Sequence, residues 1–267
     1  MVSEIFSSPE QAKAVFYWLS ITAFLGLELR LSYRLPTVSK LKRWLTNIPL
    51  SVLNGLIYHV LFFGLLASLF AYTEQQKIGL FHLLGLPYWL RLGAGILLLD
   101  FMIYLWHLAN HKIPFLWRFH RVHHSDVNMD VSTANRFHLG EFLVSGLVRI
   151  ATVYAFGVPF LAYFLFEVLV NLSIQFHHSS IRINAAFERL WMLLFVPPSL
   201  HRIHHSVKIR ERDSNYGVIF SLWDRLVGTL TTTVDQSKIV IGIGSHRNFE
   251  KLGFLHLLAM PFTRRTL

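Results

Sequence analysis

Apolar and polar stretches alternate along the chain in the manner of a polypeptide that repeatedly crosses a bilayer. The run from Ala14 to Leu29 is broken only by Glu28 and is a little short of the roughly 20 residues a bilayer asks for. Glu4 and Glu10 precede it and no small-residue cleavage site follows, so it reads as a retained helix and not as a secretory signal. Ile48 to Tyr72 gives 25 residues without a formal charge and predicts a membrane helix. After the polar break TEQQK at 73–77, an apolar segment containing Gly85 and Pro87 reads as interfacial or re-entrant. A further span runs from about Leu92 to Ala109 and is interrupted by Asp100. Phe142 to Phe176 is apolar for 35 residues with Arg149 and Glu167 as its only charges. Gly157-Val158-Pro159 near its centre predicts a hairpin of two helices. The stretch LWMLLFVPP at 190–198 is too short to cross and is expected in the interface, and Leu252 to Phe262 forms an amphipathic end.

The expected fold is therefore an all-α integral membrane bundle of about four spans with a helical, histidine-rich cap. Residues 1–90 are expected to supply the N-terminal membrane helices and interfacial segment, 91–240 the histidine-rich domain, and 241–267 an amphipathic tail.

Composition supports the membrane reading: 53% of residues are hydrophobic and 15% are charged, against roughly 25% charged in a soluble domain. The net charge of +10 has a topological explanation. Arg30, Arg34, Lys40, Lys42 and Arg43 fall in one loop, which the positive-inside rule assigns to the cytoplasm. The intervening spans then bring 107–140 and 177–267, both basic, to that same face, and the polar segment 110–140 is expected to face water. Nucleic acid is not an expected partner, because no recognition module accompanies the charge. The chain has no cysteine, which excludes disulfides, thiolate metal sites and a cysteine nucleophile. A metal here must be held by nitrogen or oxygen.

Histidine supplies the nitrogen. Eleven of the 15 histidines lie between His107 and His205, where even spreading would place about 5 or 6. Three blocks stand out: His107-Leu-Ala-Asn-His111, His120-Arg-Val-His123-His124 and His201-Arg-Ile-His204-His205. Residues three and four apart share a helix face, so each block can aim imidazoles at one point. Eight clustered imidazoles would repel if protonated and lack partners if buried neutral, and a metal resolves both problems. Eight or more ligands exceed what one ion uses and point to two. Zinc would also accept imidazole, so ligand type alone leaves hydrolysis open beside dioxygen chemistry on a lipid C–H bond. His59, His82, His246 and His256 are isolated and read as non-ligands.

The blocks also carry a family resemblance. Asp100-Phe-Met-Ile-Tyr104-Leu-Trp106-His107-Leu-Ala-Asn-His111, an H-x-x-H-H box at His120, Arg136-Phe137-His138 with Glu141, Phe176-His177-His178-Ser179 and a second H-x-x-H-H box at His201 follow one another in order. Asn215-Tyr216-Gly217 and Trp223-Asp224 through Gly228-Thr229 close the series. Over roughly Asp100 to Thr229 the chain resembles the fatty acid hydroxylase and sterol desaturase superfamily of membrane di-iron oxygenases. It departs from that pattern at Leu139, where proline is usual, at Ser180, where asparagine is usual, and at Leu108, where arginine is frequent.

The resemblance implies metal ligation by His107, His111, His120, His123, His124, His138, His178, His201, His204 and His205, with His177 a weaker candidate and no catalytic side chain beyond the ligands. Asp100 lies two helical turns before His107 and is expected to orient a ligating imidazole, against an ion pair with Arg91 or Arg149; Asn215 and Asp224 are expected to orient ligands or to stop helices. The implied cofactors are two non-haem irons with O2 as co-substrate, and the implied reaction is hydroxylation or desaturation of a fatty acyl chain or sterol-like lipid. No cytochrome b5-like sequence accompanies the motifs, so electrons are expected from a separate cytochrome b5-, ferredoxin- or reductase-like protein. The spans at 92–109 and 142–176 are expected to form the lipid slot, with Trp106 and Phe137 as candidate lining. Two other classes remain open: a transition-metal transporter or binding protein, whose ligands would be expected along a mid-membrane path, and a zinc hydrolase, for which Glu141 is the candidate base.

Overall fold

The structure, a computed structural model, describes residues 9–263; Glu4 and residues 264–267 lie outside them. Twelve α-helices follow one another among the described residues: α1 (Pro9–Arg30), α2 (Lys40–Gln75), α3 (Leu80–Leu83), α4 (Tyr88–Lys112), α5 (Pro114–His124), α6 (Leu139–Phe156), α7 (Phe160–His178), α8 (Ala185–Trp191), α9 (Pro198–His204), α10 (Ile209–Arg212), α11 (Leu222–Val227) and α12 (Phe254–Ala259). They include no strand; extended segments meet only in isolated bridges such as Ser32 with Ile181. The all-α membrane bundle is thus as expected, with five helices, α1, α2, α4, α6 and α7, long and apolar enough to cross a bilayer.

Helices α4 and α1 pack against α7, and α2 packs against α6. Their shared core is apolar: Leu99 from α4, Phe62 and Leu66 from α2, Val153 from α6, and Phe166 and Val170 from α7. Leu19, Val60, Leu61 and Leu147 point outward, as an apolar solvent permits. The expected hairpin break is present. Gly157 closes α6 in the left-handed conformation at φ 69°, and a Cβ there would stand 2.5 Å from the Ile78 carbonyl oxygen. The mirror contact is as tight, since a Cβ on Gly79 would meet the Gly157 nitrogen at 2.1 Å. The two glycines let the segment after α2 dock directly on the hairpin turn.

Helix α2 has 36 residues, about 54 Å at 1.5 Å per residue, well beyond a hydrocarbon layer of about 30 Å. Its first turns therefore belong to the cap. Arg43 is fully buried and donates to both Asp126 oxygens at 2.8 and 2.7 Å, to Asp130 and to the Asn128 carbonyl at 3.0 Å. Asn47 reaches Asp126 and Ser132, and accepts from Arg136 at 2.9 Å. Burial would raise the Asp126 carboxyl, but the charge and hydrogen bonds of Arg43 hold it below the ordinary carboxylate range.

This network corrects two expectations. Arg43 is not part of a solvated loop charge, and the segment His120–Asn135 does not face water: its polar side chains are almost all buried because they bind one another. The tail continues the cap, with Leu252, Leu257 and Met260 packed on Leu50, Val122 and Val127.

Candidate metal centre

The histidines gather in two buried groups. His107 and His111 of α4, His120 and His124 of α5 and His204 of α9 form the first; His123 of α5, His178 of α7, His201 of α9 and His205, which caps α9, form the second. Within each group one nitrogen from every ring lies within 4.8 Å of all the others. Helix geometry explains the partition. Residues i and i+4 differ by about 40° around the axis, whereas i+3 and i+4 differ by about 100°. So His120 and His124 face the first group while His123 turns to the second, and in the repeated box His201 and His205 serve the second while His204 serves the first. The two six-residue boxes are complementary, each giving a pair to one group and a single ring to the other. The groups adjoin: the His124 and His205 rings stack at 4.4 Å.

Hydrogen bonds fix which nitrogen is presented. The Nδ1–H groups of His107, His178 and His204 donate to the carbonyls of Tyr216 (2.8 Å), Ile174 (2.7 Å) and Ser214 (2.8 Å), and that of His120 donates to Glu141 Oε1 at 2.8 Å. Each such ring must present an Nε2 lone pair to its group. Nε2 of His107 and of His204 are buried and have no hydrogen-bond partner. In the second group the His178 Nε2 sits 3.1, 2.9 and 3.2 Å from the Nε2 atoms of His123, His201 and His205. One lone pair cannot accept from three ring nitrogens at once, whereas a cation at the centre is shared by all four rings. Burial, with repulsion from neighbouring imidazoles, pushes His123, His124, His201, His204 and His205 well below the ordinary histidine range, leaving the neutral form that ligates. The residues present fit two metal ions with all-imidazole donor sets.

Nine of the ten expected ligands are brought together and His138 is not. His138 caps α6 instead: its Nδ1 accepts from Gly140 N–H at 2.9 Å and its Nε2–H donates to the Leu258 carbonyl at 3.1 Å, so neither nitrogen is available. His177 also stays outside both groups, although its ring lies 3.9 Å from that of His201.

The expected orienting residues act at one remove. Asp100 accepts from Ile219 N–H (3.1 Å), Phe220 N–H (3.2 Å) and Trp223 Nε1–H (2.7 Å), and it touches no imidazole. The ion-pair alternative is also excluded, because Arg91 pairs with Glu74 and Arg149 with Glu167. Asp224 accepts from the Tyr216 and Gly217 N–H groups, both at 2.8 Å. Asn215 adopts a left-handed φ of 56° and ties the Leu200 and Thr231 backbones. Together the three hold the 214–220 strip whose Ser214 and Tyr216 carbonyls orient His204 and His107. A Cβ on Gly217 would fall 2.7 Å from the Phe220 carbonyl oxygen and 2.8 Å from Asp224 Oδ2, so this tight strip requires glycine there.

Glu141 is the orienting side chain the sequence did not reveal as such. Its Oε1 accepts from both His120 Nδ1–H and Asn110 Nδ2–H, which ties it to a ring of the first group. Glu141→Gln should weaken metal binding by about 10- to 100-fold, read by metal competition with a chelator; unchanged affinity would contradict the role.

Beside the second group lies a cavity of about 560 Å³. Its walls come from α1, α2, α6, α7 and the 134–137 loop, including Val52, Leu66, Phe137, Phe142, Tyr163 and Ile174. This corrects the expected slot, since α4 and Trp106 do not line it; Trp106 borders a cleft of about 10 Å³. Phe137 does line it, and its ring stacks on His123 at 4.3 Å and 7°.

Residues 92–229, just over half of the chain, match the sequence profile of the fatty acid hydroxylase family. The chain belongs to this family. Among curated fatty acid hydroxylase relatives, an ornithine lipid hydroxylase of Rhizobium tropici is 30% identical over 171 residues, 64% of this chain and 50% of the relative. A cholesterol 25-hydroxylase-like protein of Danio rerio is 34% identical over 143 residues, 52% of this chain and 55% of the relative. The alkylglycerol monooxygenase of Homo sapiens is 28% identical over 195 residues, 67% of this chain and 40% of the relative. The chain thus spans about half the length of the curated relatives it matches. No solved structure gives a significant match.

Proposed function

We propose that this family member is a membrane lipid oxygenase, an O2-dependent oxidoreductase that hydroxylates or desaturates a fatty acyl or sterol-like substrate. The observation that carries the reading is the contact between the two site components: Phe137 belongs to the wall of an apolar cavity and stacks on a buried ligand of the second histidine group. The lipid hydroxylase and monooxygenase relatives support it.

Two irons are the metals proposed, held by His107, His111, His120, His124 and His204 and by His123, His178, His201 and His205. When bound, such a pair would supply activation of O2 for attack on a C–H bond, with electrons from an external donor. The protein's share is positional. The cavity walls hold the lipid in register, Phe137 shields the second group from bulk water, and Glu141 with the 214–216 strip keeps the ligand rings aimed inward. The histidine face is placed in the cytoplasm, because Arg30, Arg34, Lys40 and Lys42 flank the connection between α1 and α2 on that side.

The cavity can be tested apart from the metals. Gly55 lines it and a Cβ there would meet no atom within 4 Å, so Gly55→Trp should fold with both metals bound. Turnover of membrane lipid should fall by about 100-fold, the cost of displacing a substrate from its reacting geometry. Full turnover in that variant would remove the cavity from the account.

A further inference from the structure

Among the described residues, three rings other than histidine touch the rings of the two histidine groups. Phe137 faces the lipid cavity, and Tyr216 is fully buried. Trp117 differs, because it is half-buried and reaches the surface. Its ring centre lies 5.1 Å from that of His111, 5.5 Å from His124 and 6.1 Å from His120, three of the five rings in the first group. It is an aromatic bridge from the cap exterior to that group.

The rim of this bridge is cationic. The Arg212 guanidinium lies 4.4 Å over the Trp117 ring, and Lys112, Lys208 and Arg210 are exposed nearby in the chain. Asp213, which contacts Lys112 at 3.0 Å and Arg212 at 3.9 Å, and Glu211, which contacts Lys208 at 3.0 Å, are the acids among them. Four cations against two carboxylates leave two positive charges. Ile113 and Ile209, 47% and 63% exposed, add apolar contact surface at α4–α5 and α10. A charged rim with an exposed apolar contact suits transient docking of a protein of opposite sign.

We propose that Trp117 is the route by which electrons reach the first histidine group, and that its rim docks a small soluble one-electron carrier with an acidic face. The proposal rests on the oxygenase reading. Hydroxylation balances as RH + O2 + 2H⁺ + 2e⁻ giving ROH + H2O, so two reduced carriers are each oxidised by one electron per turnover, and no side chain of the chain is consumed. Trp117 has no part in the lipid cavity and contacts only the metal group farther from it, which separates electron delivery from the substrate side.

The test uses the full chain, iron-loaded in sealed inside-out vesicles, with an acidic [2Fe–2S] ferredoxin as the probe. Wild type should bind the probe with an affinity that falls as salt rises, and the double charge reversal Arg210→Glu with Arg212→Glu should weaken binding by about tenfold or more. Trp117→Leu should leave probe binding intact but slow ferredoxin-driven reduction of the bound metal by about tenfold, while dithionite-driven reduction keeps its wild-type rate; Trp117→Phe should restore part of the ferredoxin rate. Binding indifferent to the charge reversals, or equal slowing with both reductants, would overturn the proposal. If dithionite-reduced wild type forms no oxidised lipid while the ferredoxin arms behave as stated, the oxygenase reading fails and the docking surface stands.

Discussion

Replacing His178 by alanine should remove one metal and abolish lipid oxidation, while His177→Ala, one residue earlier, should retain both. The contrast follows from position on α7. The His178 Nε2 is the hub of the second group, within 3.2 Å of three other ring nitrogens, and its Nδ1–H is anchored to the preceding turn. The group has only four donors, so its loss leaves three, whereas the five-histidine group is untouched. Changes in groups that merely support ligands cost about 10- to 100-fold, so deleting the hub should cost more than about 100-fold in turnover. Metal analysis of the purified variants should give about one ion per chain for His178→Ala and about two for His177→Ala. His138→Ala should also keep two. Equal metal loss in His177→Ala and His178→Ala would contradict the grouping.

The second large effect lies away from the metals. Arg43→Met should destabilise the protein by about 3–5 kcal/mol, because it takes the paired guanidinium from buried Asp126 and leaves Asp130 with Lys40, 3.6 Å away. Thermal unfolding in detergent measures the change. Adding Asp126→Asn to Arg43→Met should recover part of the loss, since a neutral amide costs less to bury than an orphaned carboxylate. The damage should reach the site, as Asp126 is two residues past His124 and Arg136 binds the Val122 carbonyl in the helix that carries three ligands. An Arg43→Met protein as stable as wild type would mean that the network is not what holds the cap.

The spans and hairpin were legible because bilayer burial demands long apolar runs, and Gly157 marks the one place where such a run must turn. The gathering of the histidines was legible because imidazoles at helical spacing share a face and have few other uses. The errors share a different origin. His138, Arg43 and Asp100 are polar groups whose partners lie 120, 83 and 119 residues away or more, and no local pattern shows which partner a buried polar group will find. His138 sits in a motif among histidines that do join the two groups, yet the approach of Leu258 from the tail takes its second nitrogen. The orienting groups for His107 and His204 are backbone carbonyls, which no side-chain pattern reveals; the visible signal was the cluster of Asn215, Gly217 and Asp224 that shapes that backbone. The cavity was half-placed: 142–176 does line it, but α1 and α2 take the side expected of 92–109, because apolar periodicity marks a span without showing which spans will be neighbours.

Two histidine-held metals are proposed to turn O2 against a lipid C–H bond beside Phe137. Membranes containing the chain, given reductant and ¹⁸O2, should yield a lipid carrying one ¹⁸O atom or lacking two hydrogens, and His178→Ala membranes should yield neither. Lipids unchanged under ¹⁸O2, from a purified protein that binds zinc in full and consumes no oxygen, would contradict it.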